Sequence, residues 1–163
     1  DYVGMMATVM NSLVLKDMFR QVGCEVYNQS GLYVGIIDKI DSDKAKRALD
    51  EGKIVVFGGG TGKPFFSTDT GASLRAKDID ADMIIKLTNV DGVYDKDPNK
   101  YDDALMYHTV SYQEVLDKKL GVMDMEAIQM CKDNKIEIVV MNIDTPDGIK
   151  RVLAGEEIGT IVK

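Results

Sequence analysis

A covered strand that runs straight into a glycine loop and then a helix constrains this chain most. Ile54-Val55-Val56 is a β-branched run of the kind that forms a buried strand. Phe57-Gly58-Gly59-Gly60-Thr61-Gly62-Lys63-Pro64-Phe65-Phe66 follows it. Ser67-Thr68-Asp69 then precedes an Ala- and Leu-bearing segment, which is a helix start. Consecutive glycines let backbone approach a ligand closely and take positive φ without steric cost. Backbone N–H groups in such a loop, beside a helix N-terminus, form an anion site, and phosphate is the obvious guest.

Two common nucleotide motifs do not fit. A P-loop requires G-x-x-x-x-G-K-[ST], but Pro64 follows Gly62-Lys63 and Phe57 stands where the first glycine belongs. G-x-G-x-x-G lacks its third glycine. A plain glycine-rich turn without ligand therefore stays open beside the phosphate site. Phe65 and Phe66 suit the wall of a planar base, and Ser67, Thr68 and Asp69 suit hydrogen bonds around it. Core packing is the alternative, and it is expected for at least one of the two phenylalanines.

The remaining chain alternates strand and helix patterns. Residues 4–22 carry Met5, Met6, Val9, Met10, Leu13, Val14, Phe19 and Val22 at helical spacing, which predicts a core-packed helix. Cys24 to Tyr27 reads as a short strand, and Tyr33 to Ile37 as a weak strand or an irregular connection. Asp41-Ser42-Asp43 opens a helix that Gly52 ends. Helices are expected over 69–77, 111–119, from Asp124 and over 147–154, with strands over 53–57, 81–87, 136–141 and 159–162. Residues 99–110 read as loop, and Asp91-Gly92 as a turn dipeptide. This alternation predicts an α/β chain with a mostly parallel, helix-covered sheet. Ligands in such sheets lie at the carboxyl ends of strands, where the 58–69 and 88–98 loops fall.

Three segments, T-G-K-P-F-F-S-T-D-T at 61–70, K-L-T-N-V-D-G-V-Y-D-K-D-P at 86–98 and G-V-M-D at 121–124, resemble the bacterial UMP kinases of the amino acid kinase superfamily. The opening D-Y-V-G-M-M-A-T is similar to that family's segment before its first long internal helix. The similarity runs in order from Asp1 to Lys163. The resemblance implies a three-layer sandwich with a mostly parallel central sheet, as one amino acid kinase-type domain over residues 1–163. Relatives of this family carry roughly a third more chain upstream, within single-domain size. That part holds a first strand and two glycine loops, one with the main phosphoryl-stabilising lysine, so the chain alone is expected to be inactive.

The resemblance assigns Asp1, Thr61, Gly62, Lys63, Pro64, Phe65, Phe66, Ser67 and Thr68 to the UMP site. It assigns Thr88, Tyr94 and Asp97 to ATP, and catalytic roles to Asp69 and Asp124. Both aspartates also suit helix N-caps. Lys63 departs from the small polar residue usual at its position. The implied reaction is ATP + UMP giving ADP + UDP, within pyrimidine nucleotide biosynthesis. Mg²⁺ would be held through ATP phosphates, with no metal site of the protein's own. The family also implies a homohexamer regulated by GTP and UTP; Lys16 and Arg20 suit that effector site, and solvated surface cations are the alternative reading of both.

Composition narrows the partners. A net charge of −7 and a pI near 4.7, without a basic run, argue against nucleic acid and anionic membranes. No apolar run reaches membrane-span length. Cys24 and Cys131 are far apart and read as buried, reduced thiols of a cytoplasmic protein. His108, the only histidine, reads as a surface residue. Rival readings are a superfamily enzyme with a carboxylate or carbamate acceptor, a non-catalytic nucleotide-binding module and, more distantly, a metal-storage relative.

Overall fold

The computed structural model describes residues 1–163, which group into two compact units, Asp1–Ile79 and Asp80–Lys163. The expected α/β class is present in both, and strand pairing is mostly parallel over the chain: wholly so in the first unit, mixed in the second.

The first unit runs α1 (Tyr2–Gln21), β1 (Val26–Ser30), β2 (Asp38–Lys39), α2 (Ser42–Asp50), β3 (Ile54–Gly58) and α3 (Thr68–Asp78). Its sheet has the order β2-β1-β3, with both pairings parallel and Val26 opposite Ile54. The polar stretch Asn28-Gln29-Ser30 is buried in β1. Gln29 earns its place by holding the start of α2: its side chain donates to the Asp41 carbonyl at 2.9 Å and accepts from the Asp41 N–H at 3.1 Å. The Asp41 carboxylate in turn accepts from the Lys44 N–H and caps α2.

Helix α1 corrects the expectation of a core-packed stripe. It buries Val9 and Ser12, whereas Met6, Met10, Val14 and Val22 are exposed. The buried side is chosen by close approach: a Cβ on Gly58 of β3 would lie 2.7 Å from Ser12 Oγ. Apolar periodicity marks a face of a helix but not which face meets the sheet. Cys24 is half-buried rather than buried, because β1 starts two residues later than its sequence suggests. Residues 33–37 form an irregular connection, leaving only the two-residue β2.

The second unit runs β4 (Met83–Thr88), β5 (Val93–Tyr94), β6 (Met106–Tyr107), β7 (Thr109–Val110), α4 (Tyr112–Lys118), α5 (Met125–Asn134), β8 (Glu137–Asn142), α6 (Gly148–Leu153) and β9 (Thr160–Val162). Its sheet has the order β4-β8-β9-β7, with β4 parallel to β8, β9 antiparallel to β8, and β7 parallel to β9. Strands β5 and β6 form a separate antiparallel ribbon. Val139, Met141 and Val152 centre one core cluster, packed by Met83, Ile85, Ile158 and Ile161. Residues 99–110, expected as loop, contain β6 and β7. These are only two residues each, and Thr160 supports the region by accepting from the Val93 N–H at 2.8 Å and donating to the Tyr107 carbonyl. Strands that short leave no periodic signal. No helix is long and apolar enough to cross a membrane.

Candidate functional site

The glycine loop leaves the carboxyl end of β3 and is held from three sides. Gly59 N–H donates to Thr8 Oγ1 at 2.9 Å, and Thr8 donates on to the Met5 carbonyl at 2.7 Å. Gly31 N–H donates to the Gly58 carbonyl at 2.9 Å, and Gly62 N–H to the Gly59 carbonyl at 3.0 Å. The far arm is tied by Asp1, whose carboxylate accepts from Phe65 N–H at 2.7 Å. Asp1 is thus fixed to the loop although it opens the chain. Phe65 takes a left-handed backbone, φ 68°, to make that turn.

A cavity of about 380 Å³ opens between this loop and the first turns of α1. Asp1, Thr61, Lys63, Phe66, Ser67 and Thr68, all expected at the acceptor site, line it. Gly62, Pro64 and Phe65 shape the loop without lining the cavity. Gly4, Met5, Thr8 and Gly60 line it too, and sequence reasoning missed them. Gly4 and Thr8 share a helix face at i, i+4, but nothing in that spacing says the face meets a glycine loop. The core-packing expectation for the phenylalanines is corrected: Phe65 is 94% exposed and Phe66 47% exposed. The turn set by Asp1 points both out of the core, and Phe66 becomes a wall.

Ser67 caps α3, its Oγ accepting from Thr70 N–H at 2.9 Å. Asp69 is therefore not the cap; it sits half-buried in the first helical turn. There its charge complements the positive end of the helix. Asp124 is a cap: its Oδ1 accepts from Ala127 N–H at 3.0 Å at the start of α5. Val122 and Met123, just before it in the chain, are buried.

In the second unit, Thr88 ends β4 and the 88–98 loop follows. Thr88, Tyr94 and Asp97, the residues expected at ATP, line one cavity of about 460 Å³. Asn99 N–H, at 3.0 Å, and the Lys100 ammonium, at 3.1 Å, hold the Asp97 carboxyl below the usual carboxylate range. The C-terminal end of α4 also enters this cavity, bringing Lys118, Lys119, Leu120 and Gly121. Gly121 opens the G-V-M-D segment, but Lys118, Lys119 and Leu120 stand twenty or more residues from the 86–98 motif and carry no signal of their own in the sequence.

A third cavity, about 620 Å³, lies in the first unit among Arg20, Lys44, Arg47 and Lys53, with Glu25 and Glu51 interleaved. Lys53 pairs with Glu51 at 2.5 Å and Glu25 at 3.8 Å. Arg20 reaches this cavity and Lys16 does not. His108 is exposed, and no group of three or more His, Cys, Asp and Glu is placed to hold a metal.

Residues 1–142 match the amino acid kinase family. The structure is similar to the UMP kinase of Bacillus anthracis, with a TM-score of 0.95 and 32% identity over 99% of this chain and 68% of that one. It is similar to the UMP kinase of Ureaplasma parvum, with a TM-score of 0.92 and 33% identity over 99% and 69%. A uridylate kinase of Archaeoglobus fulgidus aligns with a TM-score of 0.63 and 34% identity over 76% of this chain and 58% of its own. The chain belongs to the amino acid kinase family.

Proposed function

We propose that this protein is a UMP kinase, transferring the γ-phosphoryl group of ATP to UMP to give UDP and ADP. One observation carries the reading: Asp1, Thr61, Lys63, Phe66, Ser67 and Thr68 line one cavity, in a chain about one-third identical to UMP kinases over nearly its whole length. Phosphoryl transfer asks for positioning and charge neutralisation rather than covalent chemistry. The attacking phosphate oxygen of UMP is already ionised, so no strong general base is needed.

The residues divide accordingly. Thr8, Asp1 and Gly62 fix the loop. Gly60 and Thr61 present backbone N–H groups that no other part of the loop takes up, suited to the acceptor phosphate. Lys63 adds a cation at the cavity wall. Phe66 offers a face to uracil, while Ser67 and Thr68 offer hydroxyls to its edge. Asp69 orients the cationic groups around the moving phosphoryl, and Asp124 is a polar anchor near the triphosphate. Thr88, Tyr94 and Asp97 receive the adenine nucleotide, with Tyr94 beside the base and Asp97 toward the ribose or base edge. ATP enters as its Mg²⁺ complex, the ion held by phosphate oxygens. GTP or UTP as effector is supported by Arg20, Lys44 and Arg47, which line one cavity. A cytoplasmic homohexamer within pyrimidine nucleotide biosynthesis completes the proposal.

The test is to incubate the full-length gene product with γ-labelled ATP and UMP. Label in the β-phosphate of UDP supports the proposal; label released only as inorganic phosphate contradicts it.

A further inference from the structure

The cavity that gathers Thr88, Tyr94 and Asp97 is walled by three lysines, Lys96, Lys118 and Lys119. Two are already committed. Lys96 pairs with Asp103 at 2.6 Å. Lys118 pairs with Glu114 at 2.6 Å and also reaches the Tyr107 hydroxyl at 3.4 Å. Lys119 is exposed and has neither an ion pair nor a side-chain hydrogen bond.

Its backbone is unusual as well. Lys119 ends α4 in the left-handed conformation, φ 52° and ψ 45°. Glycine takes that conformation freely, whereas any side chain strains it. The conformation alone is no sign of function, since Lys135 ends α5 the same way, φ 56° and ψ 37°, outside this cavity. What separates the two is that only Lys119 stands, uncommitted, at a cavity suited to a nucleotide.

We propose that Lys119 is the cation that meets a phosphate of the adenine nucleotide bound there. The inference rests on the UMP kinase reading of this cavity. An ammonium on a flexible stem suits a phosphate oxygen, as a charge-assisted hydrogen bond. Lys96 and Lys118 would have to give up carboxylate partners to do the same.

The two lysines permit a controlled test in the full-length gene product. Lys119→Gly relieves the backbone strain and removes the charge. It raises the melting temperature by about 2–4 °C. It also raises KM for MgATP by about three- to tenfold, the range for a partly exposed charge contact, with KM for UMP unchanged. Lys135→Gly raises the melting temperature by a similar amount and leaves both KM values alone. Lys119→Arg keeps KM for MgATP within about twofold, because it keeps the charge. An unchanged KM for MgATP in Lys119→Gly overturns the assignment of Lys119. A wild-type enzyme whose rate does not depend on ATP overturns the reading of the whole cavity, and the assignment with it.

Discussion

Gly62 is the tightest point of the acceptor loop, and replacing it with alanine probes the loop's geometry. Its φ is +76°, and an added Cβ would meet the Gly31 carbonyl, the carbon at 2.8 Å and the oxygen closer still. Ordinary contact begins at 3.4 Å, and the carbonyl oxygen lies so close that backbone must move by more than about 1 Å against backbone. Gly60 is the natural comparison, with φ +56° and nothing within 4 Å of an added Cβ. Both substitutions carry the left-handed penalty, about 1–2 kcal/mol. Only Gly62→Ala adds the overlap, about 1–3 kcal/mol more. At about 2–4 °C per kcal/mol for a chain of this size, Gly62→Ala lowers the melting temperature by about one and a half to four times as much as Gly60→Ala. The loop relaxes away from Gly31 and takes Thr61 and Lys63 with it, so KM for UMP rises at least about tenfold, which corresponds to about 1.4 kcal/mol. Calorimetry and initial-rate kinetics on the two variants are the assay. Equal melting shifts, or a Gly62→Ala enzyme with wild-type KM for UMP, would refute the claim that contact with Gly31 sets the loop.

Three further outcomes follow from single contacts. Thr8→Val removes the acceptor for Gly59 N–H and raises KM for UMP several-fold, about the 1 kcal/mol of a typical hydrogen bond, while Thr8→Ser keeps the wild-type value. Asp124→Asn preserves the α5 cap but not the charge, so the melting temperature holds within about 1 °C while kcat falls; Asp124→Ala loses about 1 kcal/mol of stability besides. A kcat for Asp124→Asn equal to wild type would leave the residue a cap alone. Burial pushes the Tyr112 hydroxyl up to about 12 from its ordinary 10. Its protonated form is therefore favoured in the fold. The stability it contributes is intact below pH 10 and is lost as pH rises from 10 to 12. Denaturant titrations of wild type and Tyr112→Phe across that range show the loss in the first and a flatter profile in the second.

Much of this was legible before any coordinates. The β-branched run at 54–56, the Ser67 and Ser111 helix starts and the strand at 137–142 announce themselves by local chemistry that tertiary packing did not override. Nine of the residues expected at substrate sites line one of two cavities, six in the first and three in the second. What escaped was long-range. Thr8 looks like one more residue in an apolar helix, and only the folded chain puts its hydroxyl under Gly59, fifty-one residues on. The turn at Phe65 is tied by a still more distant bond, its N–H donating to the Asp1 carboxylate. Apolar phenylalanines suggest a core when read alone, and the α1 stripe misleads for the same reason. Composition reports that a surface is apolar, not what lies against it.

The most direct measurement is an acceptor panel. ADP formation from MgATP by the full-length gene product is followed with UMP, CMP, glutamate and carbamate under the same conditions. Turnover with UMP and background rates with the others is the predicted result. Turnover with glutamate or carbamate and none with UMP would contradict the uridylate site built from Asp1 and residues 61–68, and would leave the chain an amino acid kinase family member with a different acceptor.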